Sequence, residues 1–370
     1  MATNASSLVN FGTTGPAVGE FIYAIGPRSA PSFLPADSYV NRYLVSTYTA
    51  LGALVVPVIT PVSYTATART LPTTASWMNV AFGNGVFVAI ANGSTSAATS
   101  PDGITWTART LPSASSWNSV TFGNGVFVAV ASGPSTIAAT SPDGVTWTTR
   151  TLPSSSGWNS VAYGNGVFVA VSGTGTAAAT SPDGITWTAR TLPASTNWIS
   201  IAYGNGVFVA VSTGVTTVAI SPDGITWTTS TITYAAGWLR VFYGNGIFIA
   251  FVSGTSNIAA TSTNGIDWAS RTLPSSSSWY GLAYGNNSFV AIAYGSTAAA
   301  TSPDGITWTA RTLPSSSFWV SIAFGASKFA TISATSGTIA ATIDYAVNAT
   351  DFVLPVISPI TGTTAYVKAT

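Results

Sequence analysis

Residues 158–193 read WNSVAYGNGVFVAVSGTGTAAATSPDGITWTARTLP, and six related stretches share this pattern. Each stretch opens with a tryptophan, and consecutive tryptophans lie 40 or 41 residues apart. A fixed period of about 40 residues indicates a repeat architecture, in which one supersecondary unit stacks against its own copies. We number the repeats 1 to 7 by their leading tryptophans, which are Trp77, Trp117, Trp158, Trp198, Trp238, Trp279 and Trp319.

Each repeat is predicted to form four short antiparallel strands. The second strand of the quoted copy is apolar without a break, so both of its faces should be buried. Asn165-Gly166 tolerates the positive φ of a two-residue hairpin turn, and Pro182-Asp183-Gly184 is a typical turn before the last strand. Four strands in about 40 residues are the blade of a β-propeller. The predicted strands of this copy are residues 158–163, 167–171, 177–180 and 185–192.

The ends of the repeat array predict how the propeller closes. The last-strand signature TWTARTLP, or a variant, follows only six of the tryptophans, but residues 65–72 (TATARTLP) match it and precede Trp77. We therefore predict an all-β, seven-bladed propeller whose last blade takes residues 319–342 and, as its fourth strand, residues 64–72. Such closure removes free sheet edges. The predicted segments are 1–16, an N-terminal segment; 17–62, a first flank; 63–345, the propeller; and 346–370, a second flank.

The two flanks resemble the phage tail-collar family. Residues 17–55 share the V-G of its P-V-G element and its A-P, L-P-x-D and T-Y-x-A-L elements, and residues 350–355 (TDFVLP) are similar to its later T-x-F-x-L-P-D segment. Residues 366–369 (YVKA) are similar to the ending of many tail fibres. The resemblance implies a small α+β collar-like domain, split by the propeller, in a trimeric tail-fibre component. The matching residues of the first flank are Val18-Gly19, Gly26, Ala30-Pro31, Leu34-Pro35, Asp37 and Thr47-Tyr48-Thr49-Ala50-Leu51.

The SPDGITW turn resembles the Asp-box of sialidase-like propellers, although it is one residue shorter between Ser and Trp. In that family the box is a structural turn. We expect its carboxylate to accept local backbone hydrogen bonds, which Asn264 can also do in its copy. One carboxylate per turn is too few to hold a hard cation. The aspartates are Asp102, Asp143, Asp183, Asp223 and Asp304.

Composition predicts a chain without membrane, nucleic-acid or cofactor chemistry. Charged residues are 6% of the chain and the formal net charge is +1, so no basic patch is expected. The absence of cysteine rules out disulfides and thiolate metal sites. No apolar run approaches the roughly 20 residues of a membrane span, and the N-terminus lacks the pattern of a secretory signal. We expect no cofactor, no metal, no nucleic-acid partner and no membrane insertion.

Catalysis is also not expected. Histidine is absent as well as cysteine, which eliminates the usual triads and zinc sites. Half of the ten acidic residues lie in the Asp-box turns, and the others supply no converging carboxylate pair of the kind that a glycosidase needs. The repeated arginines form a perimeter ring, not the convergent triad of sialidases; they are Arg69, Arg109, Arg150, Arg190, Arg271 and Arg311.

The two ends of the repeat differ in variability. The turns that join strands one to two and three to four hardly vary, whereas the loops that join strands two to three and one repeat to the next vary in every copy. A binding surface would diversify in this way, and so would loops under relaxed constraint. We predict ligand-binding residues where this variable face breaks the repeat, although each could instead be local packing. The candidates are Asn197, Tyr234, Arg240, Tyr280, Tyr294 and Phe318.

The functional hypothesis is a phage tail fibre, located in the virion and extracellular, which adheres to the host cell surface. The predicted partners are a host surface glycan or protein, other phage tail proteins, and further copies of the chain in a trimer. A purely structural virion component is the alternative, with the variable face contacting other virion proteins. A glycan-cleaving enzyme is the third possibility, and the carboxylate count argues against it.

Overall fold

The computed structural model describes the backbone of residues 54–55, 58–233, 237–357 and 364–368, and the side chains of residues 64–233 and 237–345. The chain divides into two compact units, one of Thr65–Asp344 and one of Met1–Tyr64 with Tyr345–Thr370. The described residues form strands and turns without a helix. None of these segments is therefore a helix of the length and hydrophobicity that crossing a membrane requires.

The strands are short within the repeats and long where two repeats join. In chain order they are β1 (Leu54–Val55), β2 (Val58–Gly83), β3 (Val86–Ser100), β4 (Thr107–Gly123), β5 (Val126–Ala131), β6 (Ser135–Ser141), β7 (Thr148–Ser156), β8 (Trp158–Gly164), β9 (Val167–Ser172), β10 (Ala177–Ser181), β11 (Thr188–Thr191), β12 (Asn197–Gly204), β13 (Val207–Thr213), β14 (Thr217–Ser221), β15 (Thr228–Thr231), β16 (Trp238–Gly244), β17 (Ile247–Val252), β18 (Ser256–Ser262), β19 (Ala269–Gly285), β20 (Ser288–Ser302), β21 (Thr309–Gly325), β22 (Lys328–Ser333), β23 (Gly337–Ile357) and β24 (Thr364–Lys368).

Repeats 3 and 4 are separate four-stranded antiparallel sheets, ordered β8-β9-β10-β11 and β12-β13-β14-β15. The remaining strands form one larger hydrogen-bonded set, because β4, β19 and β21 each run from the last strand of one repeat into the first strand of the next. There the connection pairs with the neighbouring loop, as in Ser94↔Ser115. These connections were predicted to be loops, and that prediction is wrong where they pair as strands.

The fourth strand also starts later than predicted. In repeat 3 it begins at Thr188, not at Ile185. The backbone N–H groups of Ile185 and Thr186 donate to a carboxylate oxygen of Asp183, at 2.8 and 3.0 Å. Because these N–H groups donate to the carboxylate within the turn, they are not available to pair with a neighbouring strand.

The core lies between adjacent repeats. The leading tryptophans are 0–2% exposed, as predicted, and Phe168, Val169 and Val171 of the apolar second strand are fully buried. One buried cluster joins Val128 and Val130 of repeat 2 to Trp158 of repeat 3. Because each tryptophan fills the space between two repeats, a single repeat cannot bury its own apolar surface.

The last repeat packs against the first. Trp77 and Phe87 share one buried cluster with Val320 and Ile332. Strands β23 and β2 are hydrogen-bonded neighbours, and Arg69 Nε donates to Thr342 Oγ1 at 2.9 Å. The segment before repeat 1 is therefore hydrogen-bonded to the last repeat.

Two faces follow from the strand order. The turn face carries the turns that join strands one to two and three to four. Asn165 Nδ2 of one such turn donates to the carbonyl of Pro222 in another at 3.3 Å, and Asn124 does the same to Pro182. The loop face carries the connections between strands two and three and between repeats, which bond to each other, as in Gly173 N to Gly157 O at 2.7 Å. Both groupings agree with the prediction.

In the flanking unit, segments from before and after the repeats pair with each other. Leu54 lies opposite Ile357 and Val55 lies opposite Val356, in an antiparallel pairing of β1 with β23. Strand β24 pairs with the same part of β23, from Val353↔Lys368 to Ile357↔Thr364. The predicted short collar helix, residues 47–51, lies outside the described residues, as do segments 1–16 and most of 17–62.

Candidate functional site on the loop face

The Trp-led strands of all seven repeats line one cavity of about 200 Å³. Each repeat contributes residues from one to four positions after its tryptophan, for example Asn118, Ser119 and Val120 in repeat 2. In every repeat a β-bulge follows the tryptophan, as between Trp117 and Ser119. A bulge leaves the extra residue without a strand partner and re-aims side chains, so positions one and two after each tryptophan are free to serve the cavity.

A hydrogen-bonded belt connects the repeats around this cavity. In five repeats, the side chain two positions after the tryptophan accepts a bond from the backbone N–H three positions after the tryptophan of the next repeat. Such bonds satisfy strand-edge donors that would otherwise be buried without a partner. The five bonds run from Val120 to Asn79, Val161 to Ser119, Ile201 to Ser160, Val241 to Ser200 and Val80 to Ser321, at 2.9–3.3 Å.

The belt is interrupted where Arg240 and Gly281 hold the accepting position. Within the described residues, the N–H groups of Leu282 and Ile322 show no such side-chain acceptor. Glycine has no side chain to offer, and a Cβ at Gly281 would come within 2.9 Å of Ile292. An arginine has donors only, so it cannot accept either. In the described part of the loop face, two of the repeated hydrogen bonds are therefore not made, and both would have had their acceptors in the neighbouring repeats 5 and 6.

Arg240 turns its guanidinium towards the neighbouring repeats. Nη1 donates to the carbonyl of Ile199 at 3.2 Å, and Nη2 donates to the hydroxyl of Tyr280 at 2.9 Å. Its central carbon also lies 4.7 Å from the centre of the Tyr280 ring, which is a cation–π distance. These three contacts hold a half-buried cation at the cavity.

An aromatic row continues outward from Arg240. The ring centres of Tyr280 and Tyr294 lie 5.7 Å apart, and those of Tyr294 and Phe318 lie 4.7 Å apart with the planes stacked at 8°. Tyr294 is 39% exposed and Phe318 44%. We call Arg240, Tyr280, Tyr294 and Phe318 the Arg240 cluster. Four of the six predicted binding residues thus form one contiguous group.

The other two predicted residues do not join this group in the described structure. Asn197 is exposed and accepts a bond from Asn159 Nδ2 at 3.3 Å. Tyr234 lies outside the described residues. Asn159 also donates to the carbonyl of Trp198, and Asn118 donates to the carbonyl of Asn159. Asn118 and Asn159 were not among the predicted residues. Their signal in the sequence is the residue type directly after the tryptophan, which changes from repeat to repeat.

The aspartates of the Pro-Asp-Gly turns accept hydrogen bonds within their own turns, as predicted. Asp183 accepts from two backbone N–H groups and from the hydroxyl of Ser181, and Asn264 accepts the equivalent bonds. The bond from the Ile185 N–H is the largest cause that lowers the pKa of Asp183 below 3.8. The pKa is likewise lowered for Asp102, Asp143, Asp223 and Asp304. These carboxylates are engaged in structure on the turn face.

The described residues hold no cluster of three or more acidic, histidine or cysteine side chains that could bind a metal ion. The arginines of the outer strands bond to a threonine on the adjacent strand, as in Arg190 Nε to Thr180 Oγ1 at 2.9 Å. They lie at one position of successive repeats and form no convergent group. The Arg240 cluster is therefore the candidate that remains.

Comparison with known proteins agrees on the fold. Residues 109–239, less than half of the chain, match the profile of a family described as the DUF6242 beta propeller domain. The comparison with curated proteins gives no match.

Solved structures have the same architecture at low sequence identity. A streptogramin B lyase structure has a TM-score of 0.68 at 12% identity, and covers 76% of this chain and 98% of its own. Virginiamycin B lyase from Staphylococcus aureus has a TM-score of 0.68 at 11% identity, with 76% and 99% covered. The WD40 β-propeller domain of Doa1 has a TM-score of 0.57 at 13% identity, with 76% and 96% covered. At such identities the likeness shows the fold alone, and that fold is a β-propeller.

Proposed function

We propose that this protein is a phage tail-fibre or receptor-binding protein that attaches the virion to the host cell surface through the loop face of its propeller. The observation that carries the proposal is the Arg240 cluster. In this cluster, exposed aromatic rings lie beside the guanidinium of Arg240. The cluster lies where, among the described residues, Arg240 and Gly281 leave two bonds of the belt unmade. Aromatic faces and guanidinium groups are typical of sites that bind carbohydrate or protein surfaces.

We propose seven blades for the propeller. The cavity lined by all seven Trp-led strands supports this number. Two bonds support closure of the ring: Arg69, in the segment before repeat 1, donates to Thr342 of repeat 7, and Val80 N–H of repeat 1 donates to Ser321 of repeat 7.

The flanks would form the tail-collar-like base of the fibre, with the propeller inserted between its halves. The pairing of Leu54 with Ile357 and of Val55 with Val356 supports an insertion, because it joins backbone from both sides of the repeats. The resemblance of the flanks to the tail-collar family supports a trimer. A trimer would strengthen weak individual contacts by raising their effective concentration, provided that the sites engage together.

We propose that the protein binds without catalysis. A lyase of the same fold is described as catalytically inactive after a histidine is replaced by alanine, and this chain contains no histidine. The aspartates of the turn face are already bonded within their turns.

A structural role in the virion is the second candidate, and the turn face favours it. The residue after each Pro-Asp-Gly or Thr-Asn-Gly turn is aliphatic and 40–55% exposed in five repeats. A ring of exposed aliphatic side chains suits a contact with another virion protein. The five are Val145, Ile185, Ile225, Ile266 and Ile306.

The test is binding of the purified full-length protein to intact candidate host cells. The wild type is compared with Tyr294→Ala/Phe318→Ala on the loop face and with Ile185→Ala/Ile225→Ala on the turn face. We expect saturable binding that is lost only in the loop-face variant, with thermal unfolding of both variants close to wild type. Absence of binding by the folded wild type, across hosts that the phage infects, would favour the structural role.

A further inference from the structure

We infer that the Arg240 cluster recognises an acidic saccharide, with the sugar carboxylate at Arg240 and Tyr280 and the sugar ring on Tyr294 and Phe318. The inference rests on the proposed function and names its ligand class. It depends on three properties of the cluster, which are its charge, its unused donors and its exposed rings.

The charge of Arg240 has no counter-ion in the described structure. The cavity that it lines contains no aspartate or glutamate. Among the described residues, the ion pair of the structure is Lys328 with Asp344, which does not involve Arg240. A half-buried cation without an anion is costly unless something compensates it. A ligand carboxylate at this point would provide that compensation and would match the planar guanidinium.

Donors remain on both residues. Arg240 uses one N–H on each Nη for Ile199 and Tyr280, and its other N–H groups have no partner among the described residues. The Tyr280 hydroxyl accepts the bond from Arg240, so its own hydrogen is available to an acceptor. The guanidinium and the hydroxyl therefore present adjacent donors to one anion.

The bulge explains why these two groups meet. Strand pairing passes from Trp279 to Gly281 and leaves Tyr280 as the extra residue. In repeat 5 the same bulge precedes Arg240. Tyr280, directly after the tryptophan of repeat 6, therefore contacts Arg240, two positions after the tryptophan of repeat 5, although 40 residues separate them in the sequence.

The aromatic rings are not required by the fold. At the position of Phe318, directly before the tryptophan, repeats 2 and 3 have Ser116 and Gly157. At the position of Tyr294, repeat 2 has Ser132. These repeats build the same strands with small residues. Tyr294 and Phe318 stack on each other and stay 39% and 44% exposed, so the stack presents apolar ring surface against which a sugar ring can pack.

The absence of further charge selects a sugar over a phosphate-rich ligand. Apart from Arg240 and Tyr280, the polar residues that line the cavity are asparagines and serines, including Asn118, Asn159 and Ser160. Neutral hydrogen-bonding groups around one cation suit a ligand with many hydroxyls and one carboxylate.

Isothermal titration calorimetry on the full-length protein tests the inference. The probes are trigalacturonic acid, triglucuronic acid and 3′-sialyllactose, each paired with its carboxyl methyl ester. We expect at least one acid to bind about tenfold or more tightly than its ester, because an ester removes the charge from the hydrogen bonds to Arg240. Raising the salt concentration should narrow this difference.

Variants separate the two parts of the site. Arg240→Gln keeps a donor for Ile199 but removes the charge, and it should bind acid and ester alike. Tyr294→Ala/Phe318→Ala should weaken both ligands to a similar degree. Arg190→Ala, in the outer strand of repeat 3, is the matched control and should leave the preference unchanged.

Equal binding of every acid and its ester, or an acid preference that survives Arg240→Gln, would overturn the inference. So would the failure of all three acids to bind. If cells still bind in that case, the proposed adhesion stands and only the ligand class is wrong. If cells do not bind either, the proposed function fails with it.

Discussion

The turn face and the loop face are built from the same repeat, yet they differ in what varies. On the turn face, Asn165 and Asp183 make the bonds that their counterparts make in other repeats. On the loop face, the positions around each tryptophan hold serine or glycine in one repeat and Arg240 or Phe318 in another, and Tyr280 stands where repeats 2 and 3 have asparagine. The residues of the turn face are thus constrained by the hydrogen bonds of the fold, whereas those of the loop face can vary and are available for recognition.

The largest effect is expected from a substitution that disrupts the packing between repeats at the turn face. A Cβ at Gly325 would lie 2.1 Å from the Phe82 ring, which belongs to the first repeat. Gly325→Ala should therefore disrupt the packing of repeat 7 against repeat 1 and cost about 3 kcal/mol or more in the free energy of unfolding. Urea-induced unfolding followed by tryptophan fluorescence measures it.

Gly337→Ala is the matched control for this change. It lies in the same repeat, its φ is not positive, and its nearest neighbour to a new Cβ is a carbonyl oxygen at 3.6 Å. We expect a change of less than about 1 kcal/mol. Similar losses for Gly325→Ala and Gly337→Ala would contradict the account of how repeat 7 packs against repeat 1.

An intermediate effect is expected at the Asp-box turns. Asp183→Ala removes the acceptor of two backbone N–H groups and should cost about 1 kcal/mol. Asp183→Asn should cost less, because Asn264 makes the same bonds in repeat 6. Chemical denaturation of the three proteins at neutral pH gives the comparison.

The same turns predict a pH dependence. The pKa of Asp183 in the folded protein is below its ordinary value of 3.8. The folded state therefore holds fewer protons than the unfolded state, so its stability is complete above about pH 4 and declines as the pH falls through the lowered pKa. Denaturation between pH 5 and about pH 2 should show this decline in the wild type and a smaller decline in Asp183→Asn. Identical slopes would show that the turn does not depend on ionised Asp183.

The smallest effect is expected from a substitution that relieves backbone strain in a hairpin turn of the turn face. Ala326 and Ser327 occupy the first hairpin turn of repeat 7 at φ of 47° and 60°, where repeat 3 has Asn165 and Gly166. Side chains other than asparagine and glycine are strained at such angles. Ala326→Asn/Ser327→Gly should stabilise the protein by about 1 kcal/mol, measured by the thermal midpoint. Destabilisation would mean that another contact holds this turn.

The strands, the buried tryptophans and the hairpin turns could be predicted from the sequence because their signals are local and recur. The residue types of Asn165-Gly166 predict a positive φ at both residues, and the unbroken apolar second strand predicts burial of both of its faces. The later start of the fourth strand could not be predicted, since it depends on which acceptor the Ile185 N–H chooses. The paired connections, such as that within β4, depend on contacts between two loops.

The candidate site shows the same division. That Arg240, Tyr280, Tyr294 and Phe318 break the repeat is visible in the sequence. Their contacts with one another are not, because the four come from three repeats and meet through a bulge and a loop pairing. Asn118 and Asn159 were overlooked because an asparagine at a strand start resembles an ordinary turn residue.

The comparison of the two faces is tested most directly by hydroxyl-radical footprinting of the full-length protein, with and without host cell envelopes. Both faces carry exposed reporters of similar accessibility, Tyr294 and Phe318 on the loop face and Ile185 and Ile225 on the turn face. The account predicts that envelopes protect Tyr294 and Phe318 from oxidation and leave Ile185 and Ile225 unchanged. Protection of the isoleucines with full oxidation of Tyr294 and Phe318 would contradict it and assign recognition to the turn face.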